Sequence, residues 1–177
     1  FFSDNGGVEW YNFSDNGVLR GIKGDFFEGG IRVPFTMQWP KKIKPGITYD
    51  KPIIALDVFA TVASAASAEK YIKNDIDGVD LLPYLTGDKF GLPHEYLYWQ
   101  NPDKDIDVVR DERYKYLRIK NDEYIFDLKN DISEETNIIN SSKPIYDRLK
   151  SQFKEWEKGM INPVFLDLGS GKEYNKL

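Results

Sequence analysis

The chain has 177 residues, with 24 Lys and Arg against 29 Asp and Glu and a formal net charge of −5, a balance that gives no support to a nucleic-acid-binding basic face. It holds no cysteine and one histidine, which excludes disulfides, cysteine nucleophiles, thiolate metal sites and a multi-histidine zinc centre within this segment. Hydrophobic content of 41% and charged content of 30% suit a globular chain with room for one or two small domains.

Residues 1–50 are rich in Gly and Pro. The chain opens on Phe1-Phe2 without an initiator Met. It reads as a strand already under way, and so as the C-terminal piece of a longer protein. The sequence has no signal-peptide pattern and no apolar run of membrane-spanning length. Ile31–Trp39 is the strand candidate of this region, with Pro34 restricting it to an edge or to a start after the proline. Pro40-Lys41-Lys42-Ile43-Lys44-Pro45-Gly46 reads as an exposed loop.

Leu56, Phe59, Ala60, Ala63 and Ala66 recur at helical spacing and predict a helix over 54–68. Its alanines suggest close packing on a sheet, and Asp57 falls in its first turn, where the helix dipole favours a carboxylate. Residues 75–87 predict a short helical turn closed by Gly87. The pattern then changes. Glu95–Trp99, Asp107–Arg110, Arg113–Ile119 and Tyr124–Leu128 read as four short strands of an antiparallel sheet, with a hairpin turn over 120–123. In the third, Lys115, Leu117 and Ile119 alternate with Tyr114, Tyr116 and Arg118, the period of a half-buried strand. Residues 143–159 predict a helix capped by Ser142, with Pro144 in its first turn, an apolar stripe of Ile145, Leu149, Phe153 and Trp156, and Gly159 at its end. The stripe is expected to lie on the small sheet. Residues 160–177 read as a tail. The boundaries predicted are 1–90 for an incomplete α/β domain and 91–159 for a sheet-and-helix subdomain.

Two short stretches carry candidate chemistry. Ser3-Asp4-Asn5-Gly6-Gly7 offers neighbouring carboxyl and amide oxygens of the kind that bind Ca²⁺ or Mg²⁺; Asp-Asn-Gly is also an ordinary turn sequence. Ser14-Asp15-Asn16-Gly17 repeats it. Lys23, between Gly21 and Gly24, presents a compact cation that can meet an oxyanion, or be a solvated loop lysine. Glu28 and Arg32 flank Gly29-Gly30-Ile31 and read as an ion pair bracing a tight turn. His94 reads as a loop histidine, and Trp99 as either a packing aromatic or a platform for a sugar ring.

The order of these stretches resembles the sulfatase family of the alkaline phosphatase superfamily. "SDNGG" is similar to its late metal-ligand motif, and "LRGIKGDFFEGGIRVPF" to the loop bearing its active-site lysine. "WPKKIKPG", "IIALDVFATVASAA", "DGVDLLPYLTG", "YLYW", "VVRDERYKYL" and "YIFDLKNDISEETN" follow in the family's order, so the resemblance spans 1–157. It implies an α/β fold, the C-terminal part of an alkaline-phosphatase-like sulfatase with a small four-stranded antiparallel sheet plus helix. It also implies Asp4 and Asn5 as calcium ligands, with Mg²⁺ as the alternative, and Lys23 as the lysine that contacts sulfate. Asp15-Asn16 is then not the metal pair. His94 and Trp99 fall in a region that helps set substrate specificity in the family.

The implied activity is hydrolysis of a sulfated carbohydrate or aryl sulfate at a periplasmic or extracellular location. The family's nucleophile, a formylglycine made within a Cys/Ser-x-Pro-x-Arg motif, is expected in the N-terminal half, and the present segment alone is expected to be inert. A phosphate or phosphonate ester hydrolase of the same superfamily, and a non-catalytic homologue that binds sulfated glycans, are the alternatives.

Overall fold

A four-stranded antiparallel sheet in the order β1-β2-β3-β4 organises the chain: β1 Leu97–Asn101, β2 Ile106–Arg110, β3 Tyr114–Ile119 and β4 Asp122–Asp127. The computed structural model describes residues 1–8, 13–72 and 75–161; the predicted tail beyond Ile161 lies outside them. Among the described residues four α-helices accompany the sheet: α1 Glu28–Ile31, α2 Leu56–Ala65, α3 Leu82–Thr86 and α4 Lys143–Glu157. The fold is mixed α/β, as expected.

The four strands form where the alternation placed them, shifted by one or two residues at most ends. Ile119 pairs with Asp122, so the last hairpin turns over Lys120 and Asn121 alone, with Lys120 at φ 55°. The half-buried reading of β3 is corrected. Lys115, Tyr116 and Leu117 are all buried in succession, because the strand is covered on both faces. On one face Val109, Tyr116 and Ile125 meet Leu149 and Phe153 of α4. Tyr98 stacks on Trp156 with centroids 5.0 Å apart. Burying each such side chain stabilises by about 1.5–3 kcal/mol, which is why α4 follows its predicted stripe. Ser142 precedes α4 but makes no side-chain cap; Pro144 preorganises the first turn instead.

Glu123 locks this face. Its Oε1 accepts Tyr116 Oη at 2.6 Å and Lys150 Nζ at 2.7 Å, and its Oε2 accepts Tyr146 Oη at 2.8 Å. Burial raises the carboxyl pKa, but these three donors outweigh it and hold the group down to about 2.

The other face carries Ile106, Val108, Leu117, Phe126 and Leu128, packed against Phe26, Phe27 and Trp99. Here β2 and β3 set Arg110 directly opposite Lys115, a like-charge pair that is unfavourable unless neutralised. Glu28 neutralises it. Its Oε2 lies 3.0 Å from Arg110 Nη1 and its Oε1 3.2 Å from Lys115 Nζ. Lys115 Nζ is also 2.8 Å from Glu134 Oε1. This second contact is a charge interaction more than an aligned hydrogen bond, since Glu134 Oε1 has no well-directed donor. Glu28, Lys115 and Glu134 are each 0% exposed. Burial raises the Glu28 pKa, yet Lys115 and Arg110 overcome it and keep the carboxyl below its ordinary value. Glu134 has fewer cations near it; burial dominates and holds it above its ordinary value.

Two other expectations are corrected. Ile31–Trp39 is not a strand. Gly29-Gly30-Ile31 is taken into α1, Pro34 has no N–H to pair, and only Phe35 bridges to Phe2. The α2 helix turns a different face inward than its apolar spacing suggested. Leu56, Phe59 and Val62 are 53%, 60% and 60% exposed, while Asp57 and Thr61 are buried with Ala60 and Ala63. The reason is hydrogen bonding. Asp57 accepts Ile54 N–H and Val79 N–H, and Thr61 Oγ1 accepts Leu81 N–H. This face of α2 therefore docks on residues 78–81. The α3 turn ends at Gly87 in the left-handed region, φ 84°, as its sequence indicated.

Two outcomes follow for stability. Glu123 has a depressed folded pKa, so its contribution is present above the unfolded value near 4.5 and is lost as pH falls toward about 2. Denaturant unfolding measured across that window should fall less steeply for Glu123→Gln than for the parent. Glu28, also depressed, adds to the same acid loss; Glu134, raised, acts with opposite sign, favouring the fold below its unfolded value and losing that contribution as pH rises through its folded one. Second, Lys115→Met leaves two buried carboxylates without their shared ammonium and should cost roughly 3–5 kcal/mol in equilibrium unfolding. A loss under 1 kcal/mol would mean that the carboxylates are not buried together.

Candidate functional site

Residues 1–7 run beside the segment containing α1, tied to it by main-chain hydrogen bonds. Thr36 N–H donates to Phe1 O at 2.7 Å, Ser3 N–H to Pro34 O at 3.3 Å, and Gly6 N–H to Gly30 O at 3.0 Å. Lys23 N–H donates to Gly7 O at 3.2 Å. These contacts bring Asp4-Asn5 and the Lys23 turn, the metal and anion candidates, into one neighbourhood.

Glycine makes the approach possible. A Cβ on Gly6 would sit 1.7 Å from Gly29 O, and one on Gly29 would sit 2.3 Å from Gly21 O. Side chains at either position would push the two backbones apart. Gly29 N–H donates to Arg20 O at 2.7 Å, so the Lys23 loop wraps directly onto α1.

Lys23 stands exposed at the apex of a turn closed by Asp25 N–H on Ile22 O at 2.9 Å and by Ile22 N–H on Asp25 Oδ2 at 3.1 Å. Its ammonium has no ion pair or hydrogen bond among the described residues. Asp4 is exposed, and its carboxylate likewise has no partner there. Asn5 Nδ2 donates to Gly6 O at 2.8 Å, leaving Oδ1 unengaged. Two adjacent uncommitted oxygens suit a hard cation, which needs about six to eight in all. No group of three or more His, Asp or Glu that could hold a metal occurs among the described residues, so other ligands would have to complete the site.

The second Ser-Asp-Asn-Gly differs because its side chains are already used. Asn16 Oδ1 accepts Gly7 N–H at 2.9 Å, and its Nδ2 donates to Gly7 O and Gly21 O at 3.2 and 3.1 Å. Asp15 Oδ1 accepts Gly17 N–H. Asn16 is thus a clamp between Gly7 and the loop that carries Lys23.

His94 meets a carboxylate and Trp99 meets the sheet. His94 Nε2 lies 2.7 Å from Asp57 Oδ1, and its side chain is 12% exposed. Trp99, half-buried, packs on the sheet face that also receives Phe26 and Phe27. Arg32 does approach Glu28, at 3.7 Å, but is the most distant of its three cationic partners. Arg110, Lys115 and Glu134, which seat α1, were not singled out for this role from the sequence. The usable signal was Lys115 sharing its alternation with Leu117 and Ile119: a lysine in phase with apolar neighbours implies a buried counter-charge.

Comparison with known proteins gives a consistent placement. Residues 23–159 match the family described as N-sulphoglucosamine sulphohydrolase, C-terminal. The chain is similar to the uncharacterized sulfatase YdeN of Escherichia coli, 37% identical over 131 residues, covering 70% of this chain and 23% of the relative. It is also similar to the steryl-sulfatase of Mus musculus, 47% identical over 83 residues, covering 47% of this chain and 13% of the relative. Among solved structures, i-CgsB in complex with k-i-k-neocarrahexaose superposes with a TM-score of 0.81 at 26% identity, covering 99% of this chain and 40% of that one. The phosphonate monoester hydrolase of Agrobacterium radiobacter superposes with a TM-score of 0.56 at 25% identity, covering 76% and 30%. The chain therefore spans well under half the length of the relatives it matches, and the family match runs from Lys23 through the sheet and α4. It belongs to the sulfatase family and carries that family's C-terminal portion.

Proposed function

We propose that this chain supplies part of the active site of a sulfuric ester hydrolase. The observation that carries the reading is the placement of the Lys23 turn, whose ammonium has no partner among the described residues, beside the uncommitted oxygens of Asp4 and Asn5 by the Gly6–Gly30 and Gly7–Lys23 main-chain bonds. In this reading residues 1–90 belong to the catalytic α/β domain and 91–159 form a subdomain against which its lysine loop is seated.

Asp4 Oδ and Asn5 Oδ1 would hold Ca²⁺, or Mg²⁺; when bound, the cation would offset the negative charge of the ester's sulfate oxygens. The nucleophile, a formylglycine in the family, would come from another part of the complete protein, since this sequence has no Cys/Ser-x-Pro-x-Arg motif. The present segment alone is then inert. Lys23 contributes a positioned ammonium. Charge on the sulfate and departing ester oxygens changes as the S–O bond breaks, and a fixed cation responds without reorganising water. The Lys23 turn is rigid because Asp25, Gly7 and Asn16 hold its backbone, so the side chain reaches outward from a defined base.

A sulfated carbohydrate is the substrate class this reading favours, in keeping with the neocarrahexaose bound to i-CgsB and the ulvan-active sulfatase of Formosa agariphila, which is 34% identical over 109 residues. Aryl sulfates are the alternative, in keeping with bovine arylsulfatase A, 37% identical over 122 residues. The likeness to a phosphonate monoester hydrolase supports a second reading, transfer to water from phosphorus instead of sulfur. A periplasmic or extracellular location rests on the family resemblance.

Steady-state kinetics of the complete enzyme on an aryl sulfate test the role of Lys23. Lys23→Ala should lower kcat roughly 10²–10³-fold, about 3–4 kcal/mol, with an unchanged melting temperature. Lys42→Ala, on an exposed loop, should behave as the parent; equal rates in the two variants would return Lys23 to the solvated surface. Calorimetric calcium titrations of the complete protein address the metal. Asp4→Ala should abolish tight binding and Asp15→Ala should leave it intact, whereas the reverse pattern would assign the cation to the second Asp-Asn-Gly.

A further inference from the structure

Glu134 lies more than a hundred positions along the chain from α1, yet two of its atoms meet the elements that carry the candidate site and a third meets β3 beneath them. Its Oε2 accepts Glu28 N–H at 2.5 Å, a separation of 106 residues. Its Oε1 lies 2.8 Å from Lys115 Nζ. Its main-chain carbonyl accepts Arg20 Nη1 at 2.8 Å, and the Arg20 guanidinium lies 4.0 Å over the ring of Phe27. Phe27 stands at the N-cap of α1 and supplies no side-chain cap. The Glu134 carboxylate fills that role from a distance, satisfying the first free N–H of the helix.

The local backbone is arranged around this task. Glu134 is in the left-handed region, φ 55°, a conformation unfavourable for an L residue and one that persists where surroundings enforce it. Asp131 does so. Its Oδ1 accepts Glu135 N–H and its Oδ2 accepts Thr136 N–H, while Glu134 N–H donates to Asp131 O. Two routes then run from Glu134 to the site. One passes through α1, whose Gly30 carbonyl holds Gly6 N–H next to Asp4-Asn5. The other passes through Arg20, which stands at the start of the Lys23 loop and whose own carbonyl accepts Gly29 N–H of α1.

We propose that Glu134 is a positioning residue for the site, fixing Lys23 and Asp4-Asn5 relative to each other by capping α1 and anchoring Arg20. The kinetic part of this inference rests on the sulfatase reading; the structural part does not. In the complete enzyme, Glu134→Gln keeps the shape and one acceptor but removes the charge opposite Lys115. Glu123→Gln is the control, since it disrupts a comparable hydrogen-bonded carboxylate on the opposite sheet face. Both should lower the melting temperature. At a temperature well below both transitions, Glu134→Gln alone should lower kcat on an aryl sulfate by roughly 10- to 100-fold, the scale of a small misplacement of reacting groups. It should also speed hydrogen exchange of the Gly6 and Lys23 amides at least about tenfold. Should Glu134→Gln fail to fold, Arg20→Met leaves the Glu134 carboxylate in place, removes the contact to its carbonyl together with the guanidinium over Phe27, and is read by the same two measurements. Unchanged exchange at Gly6 and Lys23 would overturn the proposal whatever the rate, and so would faster exchange with an unchanged rate in an enzyme active on sulfate esters. An enzyme inactive on sulfate esters would instead remove the sulfatase reading, and the exchange data alone would then decide whether Glu134 positions these residues.

Discussion

Lys115 brings an ammonium group to the middle of a covered sheet, where a charge is tolerated only if opposite charges come with it. Glu28 and Glu134 supply them, one from a glycine-flanked helical turn early in the chain and one from a loop near its end. Neither carboxylate is exposed, so the three groups must be buried together. That requirement seats α1 on β2 and β3, and α1 in turn carries the backbone on which Gly6 and the Lys23 loop rest. The apolar cluster around Phe26, Phe27 and Leu117 supplies the burial. The charges supply the register, because a shift of α1 would leave Arg110 facing Lys115 without an anion between them.

The two faces of the sheet therefore serve different ends. The α4 face is a conventional packing interface, closed by Leu149, Phe153 and the Tyr98–Trp156 stack and tied at one edge by Glu123. The α1 face is polar at its heart and bears the groups with candidate chemistry. Those groups, Lys23, Asp4 and the Asn5 amide oxygen, are left uncommitted among the described residues, while their neighbours Asn16, Asp25 and Arg20 are consumed in holding backbone. Free functional groups on a fully engaged frame are what a preorganised site requires.

Much of this was legible from residue patterns. The β-strands and α4 followed from period-2 and helical spacing because each buries a continuous apolar face. The metal and lysine candidates were found by motif. What escaped were contacts set by single polar atoms at long range. Nothing local in the sequence distinguishes Glu134 from Glu135, and its function comes from a left-handed backbone made by Asp131. Likewise α2 presents Leu56 and Phe59 as its apolar stripe, yet Asp57 and Thr61 turn the other face inward, because hydrogen bonds to residues 54, 79 and 81 fix it. Ile31–Trp39 had the composition of a strand, but Pro34 and the Gly29-Gly30 turn left it one bridge.

The contact between Gly6 and Gly29 has a bearing on how this segment tolerates genetic change. Every missense substitution of a glycine codon adds at least a Cβ. At Gly6, Gly29 and Gly30 that atom would lie 1.7, 2.3 and 2.3 Å from main-chain carbonyl oxygens, which cannot rotate away as a side chain can. At Gly17 and Gly46 nothing lies within 4 Å, and only the positive φ opposes a side chain, a smaller penalty that Asn or Asp partly avoids. Mutational freedom along this loop is thus divided by backbone proximity more than by distance from Lys23. The residues least open to substitution are ones with no side chain to take part in chemistry.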